Sequence, residues 1–181
     1  MDEIPPGKGI LPGEEILPVV NKMGEQIGKA SRKECHADPK LLHPVVHLHL
    51  FHPDGRLYLQ QRAMTKEIFP GYWDTAVGGH ISDGESVSLA LCREAEEELG
   101  IKVVDARFLF NYIWNNRNET EYVHAFSLLY PGVVRYNTEE VMDGKFFTLT
   151  EIEQMIDDNI TTPNFTYEFH LLKKKGGLQL L

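Results

Sequence analysis

Several things are scarce in this chain, and each scarcity removes a class of protein. Long apolar runs are missing: no stretch approaches the roughly 18–20 residues that a membrane span requires, so no membrane partner is expected. Cysteine is rare, with only Cys35 and Cys92 in 181 residues. Two isolated cysteines with no CxxC spacing build neither a disulfide framework nor a zinc ribbon. Basic residues are outnumbered, 18 Lys and Arg against 27 Asp and Glu, for a formal charge of −9. That balance argues against nucleic acid, which needs a basic stripe to displace phosphate counterions. An acidic protein can still hold a phosphorylated small molecule if a cation stands between them. The opening Met1-Asp2-Glu3-Ile4-Pro5-Pro6 is acidic and proline-bearing, unlike a signal or transit peptide. The expected compartment is therefore the cytosol.

What remains is an ordinary globular composition, 42% apolar and 25% charged, long enough to close a core. Residues 1–14, with Pro and Gly clustered at 5–13, read as a loose lead-in to one domain over 15–181. Short strands are expected at 15–20 and 25–27 around a Met23-Gly24 turn, then a brief helical turn at 31–36. In residues 42–51, Leu42, Val46, Leu48 and Leu50 alternate with His43, Val45, His47, His49 and Phe51, the period of a half-buried strand. Pro53-Asp54-Gly55 turns the chain into a return strand at 56–62. A loop with Lys66, Pro70 and Gly71 leads to a short apolar stretch at 72–77. A helix follows at 86–99. Strands at 103–114 and 121–130 flank the polar hairpin Asn115-Asn116-Arg117-Asn118, and another is expected at 145–148. Thr150 with Glu153 spells a capping box for a helix to about 157. A last helix runs from about Pro163 towards Lys173-Lys174-Lys175, a basic end suited to the helix dipole. The class is α+β, a mixed sheet covered by helices.

The helix at 86–99 carries the strongest chemical signal. At about 100° per residue, Glu94, Glu97 and Glu98 share one face, beside an apolar stripe of Leu91, Ala95 and Leu99. Gly100 is placed to end the helix in a left-handed conformation. Like charges at this spacing repel. A hard divalent cation such as Mg²⁺ would offset that repulsion, keeping positions open for water and phosphate oxygens; a solvated acidic face is the plainer alternative.

Extended outwards, the pattern runs Gly79-x5-Glu85-x7-Arg93-Glu94-Ala95-x-Glu97-Glu98-x-Gly100-Ile101. It resembles the Nudix box at every fixed position, with Ala95 smaller than the usual aliphatic residue. The resemblance implies a Nudix fold, a mixed sheet sandwiched between α-helices (α/β/α). It also implies a hydrolase in which metal-activated water attacks a diphosphate of a nucleotide-like small molecule. Glu94, Glu97 and Glu98 would hold Mg²⁺ or Mn²⁺, and Glu85 would support or join them. Arg93 would pin a glutamate through a bidentate pair, and Gly79 would permit the tight loop into the helix. Glu94, Glu98 and Glu121 are the catalytic candidates, with Glu121 or Glu94 as base.

The likeness reaches further, over residues 16–101. Leu42-His43, Leu57-Tyr58-Leu59-Gln60-Gln61-Arg62, Lys66, and Pro70-Gly71-Tyr72-Trp73-Asp74 leading to Gly78-Gly79-His80 resemble the branch shared by isopentenyl-diphosphate isomerases and isomerase-like Nudix hydrolases. In such isomerases a cysteine acid/base precedes the Gly-His of the box, with a metal held by three histidines and two glutamates. His36, His43, His80, Glu119 and Glu121 match that metal set, which makes a second metal site an option beside simple lining of a polar strand face. The cysteine position is Gly78, which has no proton to exchange. Cys92, expected as buried packing on the helix, does not replace it. The isomerase therefore stands as the alternative, and a nucleotide-binding module without turnover as a third reading. Arg62 and Lys66 are candidates for phosphate contacts or solvated surface. Trp73 is expected in the core rather than stacked on a base. A homodimer through the N-terminal strands is compatible with the sequence.

Overall fold

A computed structural model describes residues 14–176; the lead-in at 1–14 falls almost wholly outside this range. The described chain begins with a two-stranded antiparallel sheet, β1 (Ile16–Val20) and β2 (Gln26–Ser31). A single turn, α1 (Arg32–Cys35), follows, closed by a capping box between Ser31 and Glu34. The main sheet has seven strands: β3 (Leu42–Phe51), β4 (Leu57–Arg62), β5 (Trp73–Asp74), β6 (Val77–His80), β7 (Arg107–Asn115), β8 (Thr120–Leu129) and β9 (Val141–Phe147). Three helices cover it: α2 (Val87–Leu99), α3 (Leu149–Asp157) and α4 (Pro163–Lys174).

Strand β3 is the axis of the sheet. It pairs in parallel with β8 along its whole length, and antiparallel with β6 through Val45↔His80 to Leu48↔Val77. All ten of its residues are buried, not half of them as the alternation suggests. The reason is that both faces are covered. Val46, Leu48 and Leu50 pack with Ala90, Leu91, Ala95 and Leu99 of α2. On the other face Phe51 joins Leu57, Leu59, Trp73, Phe165 and Phe169 under α3 and α4. Each such fully buried side chain contributes about 1.5–3 kcal/mol. The result is the α/β/α sandwich, with Trp73 in its core.

Several boundaries move. β7 begins at Arg107 rather than 103, and β9 begins at Val141, four residues before the expected start. Ser86 caps α2 instead of belonging to it. The box for α3 is Thr148 with Glu151, not Thr150 with Glu153; two Thr-x-x-Glu spacings overlap here, and the one that meets the end of β9 is used. Cys92 is exposed on α2 rather than packed, while Cys35 is buried, and burial pushes the Cys35 thiol up to about 12. No helix among the described residues is long and apolar enough to cross a membrane.

One polar contact fastens α4 to the sheet. Glu168, wholly buried, accepts a hydrogen bond from His47 Nδ1 at 2.8 Å and lies 3.3 Å from His49 Nε2. Burial opposes both charges. The histidines nevertheless hold the Glu168 carboxyl below its ordinary range, and Glu168 holds His47 above its own. Removing the carboxylate strands buried imidazoles, so Glu168→Gln is expected to lose about 3–5 kcal/mol. Both contributions depend on pH through the proton each group binds. The contribution of His47 is complete below its ordinary 6.5 and fades as pH rises through its raised value. That of Glu168 is complete above 4.5 and fades as pH falls through its lowered value. Chemical denaturation across pH should therefore show the widest gap between wild type and variant from about pH 4.5 to 6.5.

Candidate functional site

A cleft of about 610 Å³ opens at the end of the sheet where β3, β6 and β8 meet the C-terminal half of α2. Its walls bring together residues from α1, α2, six strands and the start of α4, including His36, His47, Gln60, Asp74, Gly78, His80, Glu94, Glu98, Glu121 and Asn164.

The acidic wall comes from α2. Its turns present Glu94 and Glu98 towards β6 and β4, while Glu97 is exposed at the rim. Arg93 sits at the centre. Its Nε and Nη2 grip Glu85 through two bonds of 2.9 Å, and Nη2 also donates to the His80 carbonyl at 3.0 Å. Nη1 donates to Glu94 at 2.7 Å and to Glu97 at 3.3 Å. The fork holds Glu85 below its ordinary range. Glu98 accepts from the Gln60 amide at 2.9 Å. Burial, then the neighbouring Glu94, pushes the Glu98 carboxyl up to about 8; burial also raises Glu94 against the pull of Arg93.

Gly79 matters for a different reason from the one its loop position suggests. It lies within β6, paired with Val46, and its φ is not positive. A Cβ built there would lie 2.0 Å from Glu94 Cδ and 2.3 Å from its Oε1. Any side chain at 79 would therefore evict the Glu94 carboxylate. The left-handed turns belong to Gly84, φ 82°, and to Gly100, φ 61°, which ends α2.

The histidine wall lies opposite. The ring of His36 stands 5.6 Å from that of His43 and 5.0 Å from that of His80, and His43 and His80 are 5.4 Å apart. Parallel pairing of β3 with β8 sets His43 beside Glu121. Two groups with ligand atoms within 4.8 Å of one another result: His36, His43 and His80, and His43 with Glu119 and Glu121. They share His43, so all five sequence-derived candidates converge on one place. His43 Nδ1 meets the Leu41 carbonyl at 3.1 Å, which puts the proton on Nδ1 and leaves Nε2 a bare acceptor. That Nε2 is buried without a hydrogen-bond partner, as is Glu119 Oε2, which lies 3.2 Å from His36 Nε2. Burial lowers His43 and drives His80 well below its ordinary value, which favours the neutral imidazole, the form able to bind a metal. Burial lifts Glu121 to about 7 against the pull of His47. The donor set and its orphaned atoms fit a divalent cation. Among the described residues, the α2 carboxylates form no group of three that tight; Arg93 Nη1 bridges Glu94 and Glu97, and Gln60 holds Glu98.

Arg62 and Lys66 also line the cleft. Arg62 donates to Asp74 Oδ2 at 3.1 Å, and Lys66 pairs with Glu140. Gly78 contributes no thiol; Cys92 is on the outer surface of α2 and Cys35 is buried beneath β1. Sequence reasoning missed Asp74, Tyr112 and Asn164. Tyr112 donates to Asn164 at 2.7 Å, and the Asn164 amide donates to Glu121 at 3.1 Å. These residues come from separated elements and carry no local pattern that could have grouped them.

Comparison with known proteins agrees with this geometry. The NUDIX domain model matches residues 41–169. An isopentenyl-diphosphate Delta-isomerase of Streptomyces avermitilis is 32% identical over 77% of this chain and 74% of its own length. A Nudix hydrolase of Streptomyces coelicolor is 33% identical over 77% of this chain and 78% of its own. Among solved structures, the DR0079 protein of Deinococcus radiodurans shares the fold with a TM-score of 0.70 at 21% identity, covering 88% of this chain and 98% of that one. The Nudix domain of Shewanella oneidensis NrtR, solved with ADP ribose, has a TM-score of 0.61 at 18% identity, over 73% of this chain and 86% of that one. The chain belongs to the Nudix family, in the region of it where isopentenyl-diphosphate isomerases and Nudix hydrolases adjoin.

Proposed function

We propose that the protein is a metal-dependent hydrolase that cleaves a diphosphate linkage in a nucleoside-diphosphate-like small molecule, with residues 15–181 acting as one unit. The observation that carries this reading is the wall that faces the histidines. There Gly78 leaves no thiol for proton exchange at carbon, while Glu94 and Glu98 both have raised proton affinity and Gly79 leaves room for the Glu94 carboxylate. Glu94, Glu97 and Glu98 would hold Mg²⁺ or Mn²⁺, with Arg93 and Glu85 setting their orientation. A cation bound there supplies charge for a phosphoryl oxygen and acidity for a water. Arg62 and Lys66 bind the phosphate end of the substrate, at the mouth of the cleft. Glu94 or Glu121 accepts the proton of the attacking water; burial raises both towards the working range of a general base. The ADP-ribose complex of the NrtR domain supports a nucleotide-like substrate for this fold.

The intact histidine–glutamate group favours a second reading, isopentenyl-diphosphate isomerisation, and these residues would hold a second metal in either case. Chromatography of a panel of nucleoside diphosphate derivatives plus isopentenyl diphosphate, with Mg²⁺, with Mn²⁺ and with EDTA, separates the readings. Metal-dependent cleavage is expected, falling about a hundredfold or more in Glu98→Gln, since even a residue that only supports a metal ligand costs about 10–100-fold when lost. Isomerisation without cleavage would sink the hydrolase assignment. Tight nucleotide binding with no product would leave a binding module.

Two further outcomes follow from the protonation of the site. A Glu98 carboxyl at about 8 must lose its proton to hold a cation, so Mg²⁺ binding near pH 7 should release about one proton. Apparent affinity should rise with pH and level off above about 8. Calorimetric titration in two buffers of different ionisation enthalpy reads this directly; no release would remove Glu98 from the ligand set. Gly79→Ala should weaken Mg²⁺ binding as strongly as Glu94→Gln while keeping the wild-type circular dichroism, because its Cβ takes the place of the carboxylate. Unchanged binding would dissociate Glu94 from the metal.

A further inference from the structure

His47 lines the cleft and belongs to neither the Nudix box nor the histidine–glutamate group. Its position in register is opposite Gly78. A Cβ at residue 78 would lie 3.5 Å from His47 Cδ2 and 3.5 Å from Nε2, so the glycine uncovers that edge of the ring. The other edge is clamped: Nδ1 donates to Glu168 Oε2 at 2.8 Å, and Glu168 is 0% exposed. A ring held at Nδ1 and bare at Nε2 can point only one way, into the cleft that it lines. Among the described residues, Nε2 has no hydrogen-bond partner, and 9% of the side chain remains accessible.

The neighbouring groups are already committed. Asp74 Oδ1 accepts from the Thr75 amide and the Thr162 hydroxyl, and its Oδ2 accepts from Arg62. Glu121 Oε2 accepts the Asn164 amide. The charged groups around His47 are the carboxylates of Glu168, Glu121 and Asp74, which favour its imidazolium form against the penalty of burial. An imidazolium clamped at Nδ1 carries its second N–H on Nε2. On this wall it is a preoriented cationic donor facing the cleft.

We propose that His47 is a substrate-contacting residue, donating from Nε2 to an anionic oxygen of the substrate's diphosphate, with Glu168 as its positioning residue and Gly78 as the opening that admits the oxygen. The assignment gives Gly78 a function of its own: the position without a thiol is the position through which phosphate reaches the imidazolium. It rests on the hydrolase reading for the identity of the ligand as a diphosphate, and on the geometry above for the contact. Glycine at 78 thus selects for phosphate oxygen over carbon chemistry at the same point of the cleft.

The probe is inorganic pyrophosphate with Mg²⁺, added to ¹⁵N-labelled protein. Long-range ¹H–¹⁵N spectra of the histidine rings should show both His47 nitrogens protonated, with Nε2 shifting on saturation and Nδ1 nearly still. Gly78→Val covers Nε2 without touching the clamp and should weaken pyrophosphate binding about tenfold or more, as expected for a lost charge-assisted bond. Gly78→Ala, whose added carbon meets nothing closer than 3.5 Å, serves if the valine variant does not fold, and should weaken binding in the same direction. His47→Phe should match Gly78→Val in affinity. If pyrophosphate leaves the His47 resonances in place and Gly78→Val binds it as wild type does, the contact is refuted, even where the substrate panel is cleaved and the hydrolase reading stands. If nothing in the panel is cleaved but the shift and the weakened binding occur, the hydrolase reading fails and the contact survives as an anion site.

Discussion

The cleft depends on how closely α2 approaches β6. The Glu94 carboxylate occupies the volume that a Cβ on residue 79 would fill, and that approach is possible only with glycine on the strand and small Ala90 and Ala95 on the buried face of the helix. From this one distance the rest follows. Arg93 comes within reach of the His80 carbonyl and of Glu85, and Glu98 comes within reach of Gln60 on β4. The carboxylates lose enough water for burial to raise two of them. The small side chain at 95, mildly unusual for the motif, fits the same requirement: a bulkier residue there would push the helix off the sheet.

The second organising fact is that β3 is buried on both faces. One face supplies apolar packing to α2, and the other carries His43, His47 and His49 into an interior that cannot leave them unpaired at no cost. Near one end the solution is a convergent donor set with Glu119 and Glu121; further along it is the Glu168 carboxylate from α4. A single strand thus feeds two polar structures, a candidate metal centre and a clamp whose bare edge faces the cleft. Opposite His47 stands Gly78, at the position where the resemblance to isomerases implies a cysteine.

The family resemblance and the broad architecture were legible in the residues. A period of two in 42–51, a three-glutamate face in 87–99 and the helix stop at Gly100 are local features, set by neighbours within a turn or a strand. So was the list of five metal-set candidates, by position. The elements that moved did so for tertiary reasons. β9 starts early because it pairs with β4 through Arg62↔Val141, a partner invisible from within residues 141–147. The cap of α3 went to Thr148 because the end of β9 delivers that residue first. Cys92 turned outward because Leu91 and Ala95 already take the buried face of the helix.

By itself, then, the sequence determined the glutamate face of one helix and the family it resembles, since a motif at fixed spacing on one helix needs nothing from elsewhere in the chain. It did not determine which side chains meet. The distance from His43 to Glu121 comes from a parallel ladder between strands far apart in the chain. The clamp from Glu168 to His47 closes across 121 residues, and Asp74 meets Thr162 across 88. Such contacts are settled by strand register and by the side of the sheet on which each helix lands. Those are outcomes of packing the whole core at once, and no local pattern encodes them.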